Sequence, residues 1–167
     1  MRLWWPAYIG VGSNLHDPAS QVRAAMTLLG TLPGVRLEQC SSLYGSRPLI
    51  LEGAAEQPDF VNAVAAVLTQ QSPRELLEAL QELESRAGRP ARHERWGPRV
   101  LDLDLLLFGQ LTLDEPGLRL PHPGVVDRNF VLYPLAQIAP ELEVPGRGRV
   151  HALAARVSAD GIWPLDR

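Results

Sequence analysis

Apolar and small residues alternate in "AYIGVGSNL", which predicts a short strand from about Ala7 to Val11 that breaks at Gly12-Ser13-Asn14. Asp17 or Ser20 then offers a helix cap. Val22, Ala25, Met26 and Leu29 follow at helical spacing until Gly30, Pro33 and Gly34 interrupt them. "VRLEQCSSLYGS" alternates well enough to predict one strand from Val35 to Tyr44, and "RPLILEGAAEQPD" reads as a long loop. "FVNAVAAVLT" is a β-branched apolar strand with a single polar interruption, Asn62. In "SPRELLEALQELESRAG", Ser72 and Glu75 make a capping box with proline at the first helical position. Leu76, Leu77, Leu80 and Leu83 form that helix's apolar stripe, and Gly88 ends it. An arginine-rich segment precedes an apolar run through Phe108, and Phe130 to Ile138 predicts a short helix stopped by Pro140.

The resulting order, β-α-β-β-α-β with additions after Gly109, predicts an α+β protein of the ferredoxin-like type. Two helices would cover one face of an antiparallel sheet. With 167 residues and 46% hydrophobic composition, the chain can bury one substantial core, so residues 1–167 are expected to form one domain. A net charge of −3 argues against an unassisted nucleic-acid binder. The single cysteine, Cys40, allows no intramolecular disulfide and suits a reducing compartment. No apolar run approaches the ~20 residues of a membrane span, and "MRLWWPAYIGVGSN" lacks the features of a signal peptide. A cytoplasmic location is expected, with no membrane partner.

Charge changes the picture where it is concentrated. All sixteen cationic residues are arginines, and Arg86, Arg89, Arg92, Arg95 and Arg99 crowd one segment. "GVGSNL" lacks the third glycine of a dinucleotide fingerprint, and the absence of lysine excludes a P-loop. One cysteine and four separated histidines offer no zinc cluster. Beyond the arginines lies "LDLDLLLF", in which Asp102 and Asp104 share one strand face about 7 Å apart. Leu101, Leu103, Leu105 and Leu107 should face the other way, into a core. Two carboxylates so placed repel by roughly 2 kcal/mol at an intermediate dielectric. Pairing with nearby arginines would relieve that cost, and so would a divalent cation, for which hard carboxylate oxygens are the preferred ligands. A diacid beside an arginine cluster matches the needs of a polyphosphate with its metal. Asn62 carries both donor and acceptor, suited to a heterocycle edge. Phe60 on the same strand face, with Phe130 and Trp96, provides flat surfaces that would serve equally in a core. His122, between two prolines, is either a surface imidazole or a phosphate contact.

"RWGPRVLDLDLLLFG", with "AYIGVGSNL", "QPDFVNAV" and "LPHPGVVDRNFVLYPLAQIAPEL", closely resembles the 6-hydroxymethyl-7,8-dihydropterin pyrophosphokinases of folate biosynthesis, over Ala7 to about Leu142. The resemblance implies a ferredoxin-like fold and diphosphate transfer from ATP to the pterin's hydroxymethyl oxygen, releasing AMP. It implies that Asp102 and Asp104 hold two Mg²⁺ ions. Phe60 and Phe130 would sandwich the pterin, Asn62 would bind its edge with help from backbone near Ser46 and Leu49, and Trp96 would close over it. Arg89 and Arg99 would grip phosphates in the catalytic step, with Arg92 nearby. Glu84, His122 and Arg128 would bind the nucleotide, with the backbone of Leu105 near the adenine. Ala91 and Pro123 depart from the family pattern, the loop at 46–58 is longer than in some relatives, and Ser46 replaces a threonine. Small-molecule partners and a monomeric state are expected. A metal-dependent phosphoesterase would share the diacid but have no use for the Phe60–Asn62–Phe130 group. A non-catalytic binding module would show the reverse.

Overall fold

The computed structural model describes residues 2–48, 56–88 and 100–165. In chain order its first elements are β1 (Trp5–Ser13), α1 (Pro18–Leu29), β2 (Val35–Cys40), β3 (Tyr44–Ser46), β4 (Phe60–Thr69), α2 (Pro73–Arg86) and β5 (Asp102–Phe108). Beyond them lie β6 (Leu113–Glu115), β7 (Leu118–Leu120), α3 (Asn129–Ile138), β8 (Glu143–Val144), β9 (Gly148–Arg149), α4 (Val150–Arg156) and β10 (Ile162–Pro164).

The apolar strands take the middle of the sheet. β1 pairs antiparallel with β4 on one side and β5 on the other, and β2 and β3 pair in turn with β4. The core strand order is therefore β5-β1-β4 followed by the β2/β3 segment, the ferredoxin-like arrangement with every neighbour antiparallel. β10 extends the sheet beyond β3, while β6–β7 and β8–β9 form small separate ribbons.

Local chemistry sets the helix starts. Asp17 is the N-cap of α1, and its carboxylate accepts from the Ser20 backbone N–H and hydroxyl, so both candidate residues take part in one cap. In α2, Ser72 Oγ accepts from Glu75 N–H at 3.1 Å while Glu75 accepts from Ser72 N–H at 2.9 Å, completing the capping box. α1 and α2 then bury Val22, Ala25, Met26, Leu29, Leu76, Leu80 and Leu83 against one face of the sheet. α3 and α4 cover part of the opposite face, around Val64, Leu106 and Leu107. Helices thus lie on both sides. The ferredoxin-like pair occupies one face and the C-terminal additions part of the other. Among the described residues, no helix is long and apolar enough to cross a membrane.

Three strands differ from the sequence pattern, two at a boundary and one internally. β1 does not break at Gly12 but continues through Ser13, and the chain turns at His16 and Asp17, whose φ angles are 54° and 61°. The expected strand from Val35 to Tyr44 is interrupted at residues 41–43. There Ser41 turns its side chain inward and takes both backbone groups of Val64: Ser41 N–H donates to Val64 O, and Ser41 Oγ accepts from Val64 N–H, each at 2.9 Å. The third difference lies in β5. Tyr8 pairs with Leu107 but Ile9 with Leu105, so Leu106 is an extra residue that shifts the alternation. Leu107 consequently joins the second core and Phe108 the first, while Leu101, Leu103 and Leu105 face the first core as the pattern predicts.

Leu80 is fully buried between α2 and the sheet, whereas Leu77 on the same stripe is only half-buried. Leu80→Ala is expected to reduce unfolding free energy by about 2–5 kcal/mol, and Leu77→Ala by clearly less, in urea denaturation. Equal effects would place the stripe differently.

Candidate active site

Antiparallel register aligns the polar positions of three strands. Asn62 of β4 stands opposite Gly12 of β1, and Gly12 stands opposite Asp102 of β5. One row along, Val64, Gly10 and Asp104 align in the same way. Residues two apart share a face, so Asn62, Asp102 and Asp104 all project from the face that α3 and α4 cover only in part. Strands lie about 4.8 Å apart, so Asn62 and Asp102 are separated by roughly 10 Å. Between them the sheet carries only glycine. A Cβ at Gly12 would come within 3.2 Å of Asn62 Oδ1, and one at Gly10 would meet the Leu106 side chain at 3.5 Å. The result is a glycine row, closely approached by Asn62 Oδ1 and Leu106, with an amide at one edge and two carboxylates at the other.

The amide edge is tightly held. Asn62 is 7% exposed, and its Nδ2 donates to Ser46 Oγ at 2.7 Å. That bond fixes which way the carboxamide points and aims Oδ1 over the glycine row. Ser46 sits opposite Phe60, which begins β4 and is half-buried. Asn14 reaches across from the end of β1 and donates through Nδ2 to Gln57 Oε1 and to Pro58 O, both at 2.9 Å, anchoring the chain just before Phe60. On the α3 side, Phe130 lies in the first helical turn and packs at the rim of the second core. The Arg128 guanidinium stands 5.9 Å from the centre of that ring and folds over Gly124, where any Cβ would fall 2.5 Å from Arg128 Cζ. Only glycine allows that approach.

The acidic edge is built around β5. Asp102 and Asp104 are both half-exposed. His122 is tied to the strand by its backbone N–H, which donates to Leu106 O at 2.9 Å, and its Nε2 lies 3.9 Å from Asp104 Oδ1. Its Nδ1 accepts from Gly124 N–H at 3.0 Å, so the neutral ring carries its proton on Nε2, facing the carboxylate. Burial pushes the His122 pKa below its ordinary value; the Arg128 and Arg119 charges push the same way, and Asp102 opposes them. Glu84 is 7% exposed at the end of α2 and accepts from the Leu103 backbone N–H at 2.8 Å. This clasps the outer edge of β5 midway between the two aspartates. By the alternation of an antiparallel strand, Leu105 presents its own N–H and C=O to that same edge, while its side chain is buried in the first core.

The structure therefore brings Asn62, Ser46, Asp102, Asp104, His122, Arg128, Phe60 and Phe130 to one face, with Glu84 and Leu105 at its β5 edge. Leu49, Arg89, Arg92, Trp96 and Arg99 lie outside the described residues. The alternating Gly10 and Gly12 were readable as a signal, because glycines inside a strand mark a close approach by something else. Asn14 and the clasp by Glu84 carried no such signal, since both depend on contacts between distant segments.

A folded-state pKa below the unfolded one means that the unfolded chain binds the His122 proton more readily. Its contribution to stability is whole above the ordinary value of 6.5 and is lost as pH falls beneath it. In metal-free protein followed by NMR, the His122 ring is expected to titrate below 6.5, and Arg128→Ala should move the midpoint upward. A midpoint at or above the ordinary value would contradict the burial account.

Similarity to characterised proteins is extensive. The model of the 7,8-dihydro-6-hydroxymethylpterin-pyrophosphokinase (HPPK) family matches residues 8–140. The 2-amino-4-hydroxy-6-hydroxymethyldihydropteridine pyrophosphokinase of Pseudomonas aeruginosa is 48% identical over 158 residues, covering 95% of each chain. The enzyme of the same name from Haemophilus influenzae is 45% identical over 83% of this chain and 84% of its own. Among solved structures, a Plasmodium falciparum HPPK-DHPS superposes with a TM-score of 0.74 at 15% identity. It covers 93% of this chain, which spans 44% of that longer protein, and at such low identity the likeness bears on the fold alone. With a family match across most of its length and relatives near half identical, this chain belongs to the 7,8-dihydro-6-hydroxymethylpterin-pyrophosphokinase family.

Proposed function

We propose that the chain transfers diphosphate from ATP to the hydroxymethyl oxygen of 6-hydroxymethyl-7,8-dihydropterin, giving AMP and the pterin diphosphate for folate biosynthesis. The observation that carries this reading is the Asn62–Gly12–Asp102 row. It sets a heterocycle-binding amide and a diacid at opposite ends of one glycine-centred row, a spacing that lets a ring and a triphosphate lie side by side. The activity named for the Pseudomonas and Haemophilus relatives supports it.

Asp102 and Asp104 fit magnesium. They are hard oxygen donors on one accessible face, and among the described residues no cluster of three His, Cys, Asp or Glu forms a protein cage. Magnesium favours such sites, keeping waters and substrate phosphates as its remaining ligands. When bound there, two Mg²⁺ ions would neutralise phosphate charge and orient the transferring group.

The chain's own residues supply position. Asn62 Oδ1, fixed by the Ser46 bond, accepts from the N–H edge of the pterin, while Phe60 and Phe130 bracket its faces. Neutral His122 offers its Nε2–H to a phosphate oxygen, and Arg128 adds positive charge on the same side. Glu84 keeps β5 straight at the aspartates, and Leu105 offers backbone groups to the adenine. Leu49, Arg89, Arg92, Trp96 and Arg99 are assigned by family likeness to the pterin and the phosphates. The hydroxymethyl oxygen bonds to the β-phosphorus as the bond to the oxygen retained by AMP breaks, and the hydroxyl proton is released. Such transfers depend on alignment and charge stabilisation rather than on covalent catalysis by the protein. The chain is taken to act on these small molecules as a cytoplasmic monomer.

AMP release from ATP is expected to require both the pterin and Mg²⁺ and to stop with EDTA. ATP consumption without pterin would favour a phosphoesterase instead. Asp102→Ala and Asp104→Ala should each reduce turnover by more than about 100-fold, beyond the range of outer-shell metal partners, with circular dichroism unchanged. Near-normal turnover in either variant would remove the metal role.

A further inference from the structure

The segment from Ser158 to Leu165 touches both sides of the pterin end of the site. On one side, β10 pairs with β3, Ile162 opposite Ser46 and Trp163 opposite Gly45. Arg47 N–H donates to Gly161 O at 2.9 Å and Leu165 N–H to Leu43 O at 3.0 Å, so the pairing extends past both ends of β3. The Trp163 indole lies directly on Gly45, where a Cβ would fall 2.3 Å from its Nε1. β3 has just three residues, too short a strand to hold its place by one ladder of its own. Yet it carries Ser46, whose hydroxyl aims the Asn62 amide.

On the other side, the same segment grips the start of α3. Asn129 lies between Arg128 and Phe130, and its Nδ2 donates to Ser158 O at 2.8 Å and to Asp160 O at 2.9 Å. Ser158 Oγ accepts from Asp160 N–H at 3.0 Å and tightens the turn that presents these two carbonyls. Tyr133 OH, one turn further along α3, donates to Val157 O at 3.1 Å. At its far end, α3 is joined to the segment that leads into β3, and Tyr44 OH of β3 donates to Gln137 Oε1 at 3.2 Å. Gln137 Oε1 accepts from Ser42 N–H at 2.9 Å, and Gln137 Nε2 donates to Ser42 Oγ at 2.8 Å. β3, α3 and the tail thus close a frame, with the tail as its third side.

We infer that this tail is a strap that sets the separation of the Ser46–Asn62 and Phe130–Arg128 walls, and that Asn129 and Trp163 are positioning residues for the pterin. The inference rests on the pterin assignment proposed above and deepens it. Neither residue touches the diacid. Their effect is therefore greatest at the ring end, and the nucleotide end, organised by β5, His122 and Glu84, is reached only through Arg128 beside Asn129.

Steady-state AMP formation by the full-length enzyme tests this, with the Michaelis constants for pterin and for ATP measured separately. Asn129→Ala should raise the pterin constant by about tenfold, the scale of two modest hydrogen bonds, and the ATP constant, which it can reach only through Arg128, by clearly less. Asn129→Asp has the same shape but turns acceptors toward two carbonyls, so it should be at least as harmful. Trp163→Ala should act in the same direction from the other wall, and Trp163→Phe, which keeps an aromatic ring on Gly45, should restore most of the loss. Thermal melts confirm that each variant is folded at the assay temperature, and should one Asn129 variant not fold, the Trp163 pair decides. Unchanged pterin constants, or equal shifts in both constants, would overturn the strap. Phe130→Ala in the same assay separates the two levels: if it too leaves the pterin constant unchanged, the pterin assignment itself fails. If it raises that constant while the Asn129 and Trp163 variants do not, the strap alone is wrong.

Discussion

The alternation of side chains along β5 is the constraint on which the molecule depends. Leu101, Leu103 and Leu105 must enter the core beneath α1 and α2, and that requirement forces Asp102 and Asp104 out together on the opposite face. A slip of one residue would bury two carboxylates and expose three leucines, so hydrophobic burial protects the register of the acidic pair. Glu84 secures the same strand from its edge by accepting the Leu103 N–H, and the extra residue at Leu106 ends the strict alternation as soon as the aspartates have been placed. Beyond that bulge, Leu107 turns to the second core and anchors the layer that holds His122 and α3.

A ferredoxin-like sheet with two helices leaves one face uncovered. Here α3 and α4 cover the part around Val64, Leu106 and Leu107. The candidate site is the neighbouring part of that face, where Asn62 and Gly12 are buried and the two aspartates are partly exposed. Gly10 and Gly12 let Leu106 and the Asn62 carboxamide approach the middle strand closely, and the edges are polar because the neighbouring strands place Asn62 and the aspartates there. The buried Asn62–Ser46 bond illustrates the economy of this arrangement: it satisfies a polar group that would otherwise be costly to bury and leaves the amide oxygen directed at the glycine row.

Much of the fold was legible in the chain itself. β4 has the expected limits at Phe60 and Thr69, the Ser72–Glu75 box starts α2, and the buried positions of α1 are the four with helical spacing. Of the site, the Asp102–Asp104 pair and Asn62 were readable because each breaks an apolar pattern at the cost of desolvation. His122 stood out between two prolines with its role open, whereas family likeness alone supplied Arg128 and Glu84, which have no local pattern to betray them. The interruption at Ser41 was hidden because serine fits both a strand and a break. The choice was made by Val64, twenty-three residues away, whose backbone groups Ser41 occupies.

By itself, the sequence determined much of what depends on neighbours along the chain: the main strand and helix periods, the capping box of α2, and the pairing of two carboxylates on one strand face. Tertiary structure alone decided which polar groups meet. Register across β4, β1 and β5 aligned Asn62 with Asp102 over a glycine. Packing brought Glu84 to the edge of β5, and the tail joined β3 to α3 through Trp163 and Asn129. The reason is physical. Period and capping arise from interactions within a few residues, whereas these contacts join segments whose proximity exists only after the two cores have closed on the sheet.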